Sequence, residues 1–305
     1  MSNLLHSDLQ IFFEYFQAKE INEFSIYALV DAAQDRFFLK KNSHLQARNL
    51  LTEAAGVKAA EISPHLVKLS HISNNIEWQY INRKVVGTPR MTLIISALSF
   101  DDLYTHLRQF TNVSFEGGLE MFLAFWDPTI LGTLLGQKTD LTLYVKQQVL
   151  SPEQKKVLLE PIHCWWYWDR LKHLQKIEGK GQNDLIRFYD WRNPFTFNVE
   201  QEDQMVEATF PDHLIYYLKL NNPFLVEHMN DWDLYQYVIE KILQAREYAL
   251  NGTRDILNFI CLTFVYKEDF KGDALLQSIL SKVKANLLTM DQAMEEIEVS
   301  AEAVS

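Results

Sequence analysis

The sequence contains little cysteine, and its two cysteines are far apart. Cys164 and Cys261 each lie within an apolar run of the 305-residue chain. A disulfide framework needs more cysteines in a shorter secreted chain, and a structural zinc site needs ligand spacings such as CxxC. We therefore expect two buried free thiols, with the adjacent His163 also in the core, and no metal site.

Basic charge and long apolar runs are also scarce. The chain has 29 lysines and arginines against 40 aspartates and glutamates, a net charge of −11. Binding to nucleic acid or to an anionic membrane relies on clustered positive charge, so we expect neither as a partner. The start, MSNLLHSDLQIFFEYF, lacks the basic region of a signal peptide, and no later run approaches the length of a membrane span. These features predict a cytoplasmic protein.

Apolar and aromatic residues, by contrast, are plentiful, at 48% and 13% of the chain, enough to fill a substantial core. Short β-branched and aromatic runs predict buried strands at residues 24–30, 91–97, 120–126 and 163–169. Helical patterns separate them: residues 42–55 ending at Gly56, a helix capped by Ser99, and a helix opened by Pro128. This order predicts a small sheet flanked by helices.

From about residue 193 the pattern becomes helical. In residues 231–250 and 273–288, apolar side chains return at the 3.6-residue period of an amphipathic helix. Residues 291–305 hold five acids and no base, which predicts fraying. We therefore predict an α+β protein with an N-terminal mixed α/β lobe at residues 1–192, an all-helical C-terminal lobe at 193–290 and a frayed acidic tail at 291–305.

The sequence has none of the common catalytic signatures: no GxSxG, no HExxH, no P-loop and no dinucleotide fingerprint. Asp31 and Asp127 are the best candidates for chemistry, because each closes a predicted strand and the two carboxylates could meet at one end of the sheet. A hydrolase using this pair is one hypothesis. The interpretation we favour is that both acids form turns or caps, accepting hydrogen bonds from backbone N–H groups.

Five stretches follow one another in a recognisable order: YALVDAA from Tyr27, SPHLVKL from Ser63, LIISALSFDDLYTHLRQF from Leu93, FLAFWDPTIL from Phe122 and LEPIHCWW from Leu159. In this order they resemble the type VI secretion effector adaptors, also called effector chaperones, over residues 24–170. The positions that carry the resemblance are Asp31, Pro64, His106, Arg108, Asp127, Pro128 and Pro161. We expect structural roles for them.

The resemblance implies a non-enzymatic bacterial adaptor without a cofactor. Such adaptors bind a cognate toxic effector and help load it onto the spike protein VgrG or its PAAR tip. A scaffold or immunity protein is the alternative, distinguished by whether it neutralises the toxin or promotes its export. Two arginines of the family pattern fall on Ala124 and Thr129, so this chain lacks the local arginine partners of Asp127 that the pattern implies. We interpret the partial echo RFYDWRNP at residues 187–194 as coincidence.

The aromatic run Trp165, Trp166, Tyr167 and Trp168 allows two interpretations. Neighbouring side chains of a strand alternate between its two sides, so all four cannot face one core. If one side is exposed, some of these aromatics form a partner-binding surface, because aromatic anchors within a polar rim are typical of protein interfaces. If the strand is buried on both sides, all four belong to the core.

Overall fold

The computed structural model describes residues 5–18, 24–51, 56–182 and 195–302. The chain divides into two compact units, Met1–Ala208 and Thr209–Ser305. The boundary predicted after residue 192 lies outside the described residues, and the observed division falls later, within the long helix α8 (Val199–Asn221) and close to its internal Pro211. The first unit is mixed α/β and the second is helical, which confirms the predicted fold class.

A six-stranded antiparallel sheet forms the centre of the first unit, with strand order β2-β3-β1-β4-β7-β8. The strands are β1 Ser25–Asp31, β2 Ala47–Asn49, β3 Pro64–Leu69, β4 Met91–Ser96, β7 Ile162–Trp168 and β8 Leu174–Glu178. The strands predicted at residues 24–30, 91–97 and 163–169 are confirmed to within one residue as β1, β4 and β7. Their continuous apolar character is typical of strands that are buried on both faces.

Two hydrophobic cores lie on opposite faces of this sheet. In β1, Tyr27 and Leu29 belong to the first core, whereas Ala28 and Val30 belong to the second, as the two-residue alternation of a strand requires. Helices cover both faces: α5 (Phe100–Arg108), α6 (Pro128–Leu135) and α7 (Pro152–Leu159) pack into the first core, and α1 (Ser7–Ala18), α2 (Arg36–Lys41) and α4 (Ile76–Lys84) into the second.

A small second sheet has the order β6-β5-β9, with β5 Asn112–Phe115, β6 Glu120–Phe122 and β9 Phe195–Phe197. The strand predicted at residues 120–126 is therefore correct only for its first three residues. After Phe122 the chain turns inward, because the Leu123 N–H donates to the Thr111 carbonyl and the Asp127 N–H donates to the Ala124 carbonyl. Phe125 is consequently fully buried.

The helix predicted at residues 42–55 is wrong for residues 42–51. Asn42 ends α2, and Ala47–Asn49 forms β2, which pairs with Val67, Leu66 and His65 of β3. Sheet pairing provides the backbone hydrogen bonds there and overrides a weak local helix propensity. Gly56, with φ of 96°, is the residue before α3 (Val57–Ile62). Residues 52–55 lie outside the described part of the chain.

The second unit contains the rest of α8 and α9 Pro223–Val226, α10 Asp231–Glu247, α11 Thr253–Tyr266, a 3-10 helix at Lys267–Lys271, α12 Ala274–Lys284 and α13 Met290–Glu302. The amphipathic helices predicted at residues 231–250 and 273–288 are confirmed as α10 and α12. Over residues 291–302 the structure differs from the predicted frayed tail, because α13 is anchored by the buried Ala293 and Ile297; residues 303–305 lie outside the described part of the chain. Among the described helices, none is long and apolar enough to cross a membrane.

Candidate functional site

Asp31, the first candidate acid, forms the turn that follows β1. Its Oδ1 accepts the N–H of Ala33 at 2.9 Å, and its Oδ2 accepts the side-chain amide of Gln34 at 2.8 Å. A carboxylate that accepts the N–H two residues later is the usual Asx turn. The geometry agrees with the structural interpretation of Asp31.

Asp127, the second candidate acid, caps α6. Its Oδ1 accepts the N–H groups of Thr129 at 2.8 Å and Ile130 at 3.2 Å, and Pro128 occupies the first turn, where its missing N–H has no consequence. The two positions that lack the family's arginines belong to the same turn: Ala124 accepts the Asp127 N–H, and Thr129 donates to the Asp127 carboxylate. Backbone donors therefore stabilise this carboxylate.

His106 lies inside the first core and joins two helices. Its Nε2 is 3.0 Å from the Leu158 carbonyl oxygen at the end of α7, and its ring packs edge-on against Phe110 at 5.2 Å. A carbonyl oxygen can only accept, so Nε2 carries the hydrogen. Burial lowers the pKa of His106 to about 4, which keeps the folded-state ring neutral at pH 7.

Arg108, at the end of the same helix, fastens the segment that follows β2. Its Nη1 donates to the Leu50 carbonyl at 2.6 Å, and the nearby Tyr104 hydroxyl donates to the Asn49 carbonyl at 2.9 Å. The Arg48 guanidinium lies over the Tyr104 ring at 4.6 Å and forms an ion pair with Asp101 at 2.7 Å. The motif residues of α5 thus stabilise the segment around β2, the strand at one edge of the sheet.

The two motif prolines lie where loops meet the sheet. Pro64 begins β3 opposite Asp31, and its carbonyl accepts the Leu50 N–H at 2.9 Å. The Pro161 carbonyl accepts the Ser96 hydroxyl at 2.7 Å, where the pairing of β4 with β7 shifts register. Each proline carbonyl thus links neighbouring segments of the first unit.

The aromatic run of β7 is buried on both faces, which confirms the second interpretation and overturns the exposed one. Trp165, Trp166, Tyr167 and Trp168 are at most 4% exposed. Each polar tip has an internal acceptor: Thr92 Oγ1 for Trp165, Cys164 Sγ for Trp166, Asp140 Oδ2 for Tyr167 and Asp8 Oδ2 for Trp168. These side chains build the core and offer no surface to a partner.

Asp140 is a buried acid that was not among the candidates predicted from the sequence. It is 1% exposed, and its Oδ1 accepts the N–H and the hydroxyl of Thr142 while its Oδ2 accepts the Tyr167 hydroxyl at 2.9 Å. Gly132 of α6 leaves room for this contact, because a Cβ there would lie 2.6 Å from the Tyr167 oxygen. The string TDLT, from 139 to 142, was the available signal, since Asp followed two residues later by Thr favours an Asx turn.

Both cysteines are free thiols, as predicted, but they differ in burial. Cys164 is fully buried, and burial raises its pKa to about 12. Cys261 is half-buried, and burial raises the pKa of its thiol as well. Thiolate chemistry is therefore disfavoured at both positions. Across residues 5–18, 24–51, 56–182 and 195–302, no three His, Cys, Asp or Glu side chains group as metal ligands.

The β5–β6 hairpin carries three strongly exposed apolar side chains. Leu119, Met121 and Phe122 are 69%, 59% and 57% exposed. Within the described residues β6 pairs only with β5, so it lies at the edge of the small sheet. An exposed apolar edge strand offers side chains and backbone groups to another chain.

Comparison with known protein families gives a match to part of the chain. Residues 26–141 match the family model described as "Domain of unknown function (DUF4123)". This domain is that of the type VI secretion effector adaptors, so the resemblance is confirmed over the matched residues. The fifth motif, at residues 159–166, lies beyond them. No curated protein and no solved structure matches the chain.

Proposed function

We propose that the protein binds one cognate toxic effector in the bacterial cytoplasm and helps load it onto the VgrG/PAAR spike, because residues 26–141 match the DUF4123 domain of the type VI secretion effector adaptors. The family match is the observation that carries the proposal. The matched segment contains four of the five motifs.

The adaptor acts without catalysis in this proposal. The support is geometric: the Asp31 and Asp127 carboxylates each accept hydrogen bonds from the backbone of their own turn. The remaining motif residues hold the fold together: His106 bonds the end of α7, Arg108 the segment after β2, and Pro161 the end of β4. Such roles suit a scaffold for protein recognition.

The β5–β6 hairpin is the surface of the first unit that we propose for partner contact. Its exposed Leu119, Met121 and Phe122 would gain free energy from burial, about 25 cal/mol for each Å² of apolar area removed from water. It belongs to the segment that matches the family. Partner binding through this edge would add a strand or cover its side chains.

The test is to co-express the full chain with the toxic effector and the spike protein encoded beside it. We expect the effector to co-purify with the tagged chain, and deletion of the gene to stop effector export while leaving the secretion apparatus active. Export of the effector in the deletion strain would contradict an adaptor role. Neutralisation of the toxin by the chain, with export unaffected, would identify an immunity protein.

A further inference from the structure

A cleft in the second unit concentrates positive charge in an acidic part of the chain. Residues 209–305 contain eight lysines and arginines and fifteen aspartates and glutamates. The cleft encloses about 690 Å³ and is bordered by Lys241, Lys267 and Lys271, whereas none of its described lining residues is an acid. Three of eight basic residues thus border one opening.

The wall of this cleft is apolar and ordered. Tyr237 and Phe264 stack with ring centroids 4.4 Å apart, and the Tyr237 hydroxyl donates to Thr263 Oγ1 at 2.8 Å. Phe224, on the same cleft, is 63% exposed, and Met229 is half-buried. Aromatic rings and a flexible methionine are suited to receive an apolar side chain from outside.

The three lysines that border the cleft differ in the contacts they already make within the chain. Lys241 lies over the Tyr237 ring at 4.9 Å, and its Nζ donates to Glu240 at 2.8 Å and to Gln244 at 3.2 Å. Lys267 and Lys271 are the first and last residues of the 3-10 helix, and both are exposed. Among the described side chains, neither forms an ion pair with an acid. The hydrogen bond from Lys241 and, more weakly, the charge of Lys271 lower the pKa of Glu240. The lysines of the cleft thus already stabilise one carboxylate beside it.

The backbone at Lys267 adds a second unusual feature. Its φ of 49° lies in the left-handed region that residues other than glycine rarely adopt. This conformation ends α11 and begins the 3-10 helix that carries both exposed lysines. Strained backbone of this kind is concentrated at binding sites.

We propose that this cleft binds an acidic amphipathic helix of the escorted effector. An apolar side chain of that helix packs against Phe224, Met229 and Phe264, and its carboxylates pair with Lys267 and Lys271. A helix is favoured over an added strand because the described residues of the second unit include no strand to extend. The identity of the partner rests on the proposed function, whereas the chemistry of the cleft does not.

The test uses two labelled helical peptides of about 16 residues, long enough to form a helix in water. Both carry the same leucine and phenylalanine positions on one face, and their flanking positions are all glutamate in one and all lysine in the other. Binding to the full chain is measured by fluorescence anisotropy. We expect the glutamate peptide to bind about tenfold more tightly than the lysine peptide, with affinity falling as salt is raised.

Two double variants locate the binding. K267E/K271E should abolish the preference for the glutamate peptide, whereas K219E/K284E makes the same charge change at lysines outside the cleft and should preserve it. Phe224→Ser should weaken both peptides. Circular dichroism establishes that each variant is folded. Equal binding of the two peptides to the wild-type chain, no binding, or an unchanged preference in K267E/K271E would overturn the proposal.

The same variants separate this inference from the proposed function. If the effector co-purifies with the wild-type chain and equally with K267E/K271E, the adaptor role stands and the cleft is not its site. If the glutamate peptide binds the cleft but effector export does not depend on the protein, the proposed chemistry of the cleft stands and the adaptor role fails.

Discussion

His106 donates its Nε2 hydrogen to the Leu158 carbonyl oxygen, 3.0 Å away, and so connects α5 to the end of α7 within the first core. The imidazole is 4% exposed, and burial lowers its pKa to about 4, below the ordinary value of 6.5. The folded chain therefore holds a neutral histidine over a pH range in which the unfolded chain takes up a proton.

This difference predicts a pH-dependent stability. Above pH 6.5 both states are neutral at His106, and as the pH falls from 6.5 to 4 the unfolded state alone is protonated. The free energy of unfolding should fall by up to about 3 kcal/mol from this residue over that window. Urea unfolding at pH 7 and at pH 4.5 measures the loss.

A matched substitution isolates the contribution of His106. His106→Gln should lower stability at pH 7 by about 1–2 kcal/mol, because the bond to Leu158 is weakened, but should show a smaller further loss at pH 4.5. His65 and His71, whose pKa values burial also lowers, contribute equally to both proteins. His44 is exposed, and His44→Gln should follow the wild-type profile. Parallel profiles for wild type and His106→Gln would contradict the assignment.

The central strands could be read from the sequence because local pattern and tertiary environment agree there. β1 and β4 are largely apolar runs that contain β-branched residues, and the sheet buries both faces of each. The segment around β2 could not, since Ala47–Asn49 becomes a strand only by pairing with β3, a partner distant in sequence. Short edge strands depend on such pairing more than on their own composition.

Some contacts of the site residues could likewise be predicted from local sequence, whereas others depend on residues distant in the chain. Capping by Ser99 and Asp127 was predictable because a cap is a local arrangement. The partner of Tyr167, Asp140, lies 27 residues away, and no spacing rule connects the two. The burial of β7 on both faces likewise depends on α1 and α6, which lie far from it in the chain.

The Tyr167–Asp140 pair predicts a measurable coupling. Tyr167→Phe removes one donor to a buried carboxylate and should lower the free energy of unfolding by about 1–3 kcal/mol. Asp140→Ala should lower the free energy of unfolding by more, about 3 kcal/mol or above, because it leaves the Tyr167 hydroxyl and both Thr142 donors without their acceptor. Chemical denaturation of the single and double variants gives the interaction energy. Tyr216→Phe, at a side chain that is 60% exposed, is the control and should change little. Strict additivity of the two substitutions would show that the pair is not coupled.

The β5–β6 hairpin predicts a loss of partner binding without a loss of stability. L119E/M121E places two charges on side chains that are 69% and 59% exposed, so stability should change by no more than about 0.5 kcal/mol for each substitution. Binding of the effector or of the spike should weaken about tenfold or more, because a charge in an interface core is desolvated. Separate pull-downs with each partner show which one the hairpin serves. I72E/I76E makes the same charge change at equally exposed positions and should leave both pull-downs intact. Unchanged binding of both partners to L119E/M121E would exclude the hairpin.

The two candidate acids distinguish an adaptor from a hydrolase. Asp31→Asn and Asp127→Asn keep a side-chain oxygen that accepts backbone N–H groups, so each turn should persist at a cost below about 1 kcal/mol. Both lose the negative charge that a general base or nucleophile requires. The adaptor proposal therefore expects effector co-purification and export by the double asparagine variant to match those of the wild type. Asp127→Ala is the structural comparison, because it removes the acceptor for the N–H groups of Thr129 and Ile130. It should lower the free energy of unfolding by about 1 kcal/mol, and the folded protein should still support export. Abolished export in the asparagine variant, with melting temperature, effector binding and spike binding all unchanged, would contradict purely structural roles for the carboxylates and favour the hydrolase hypothesis.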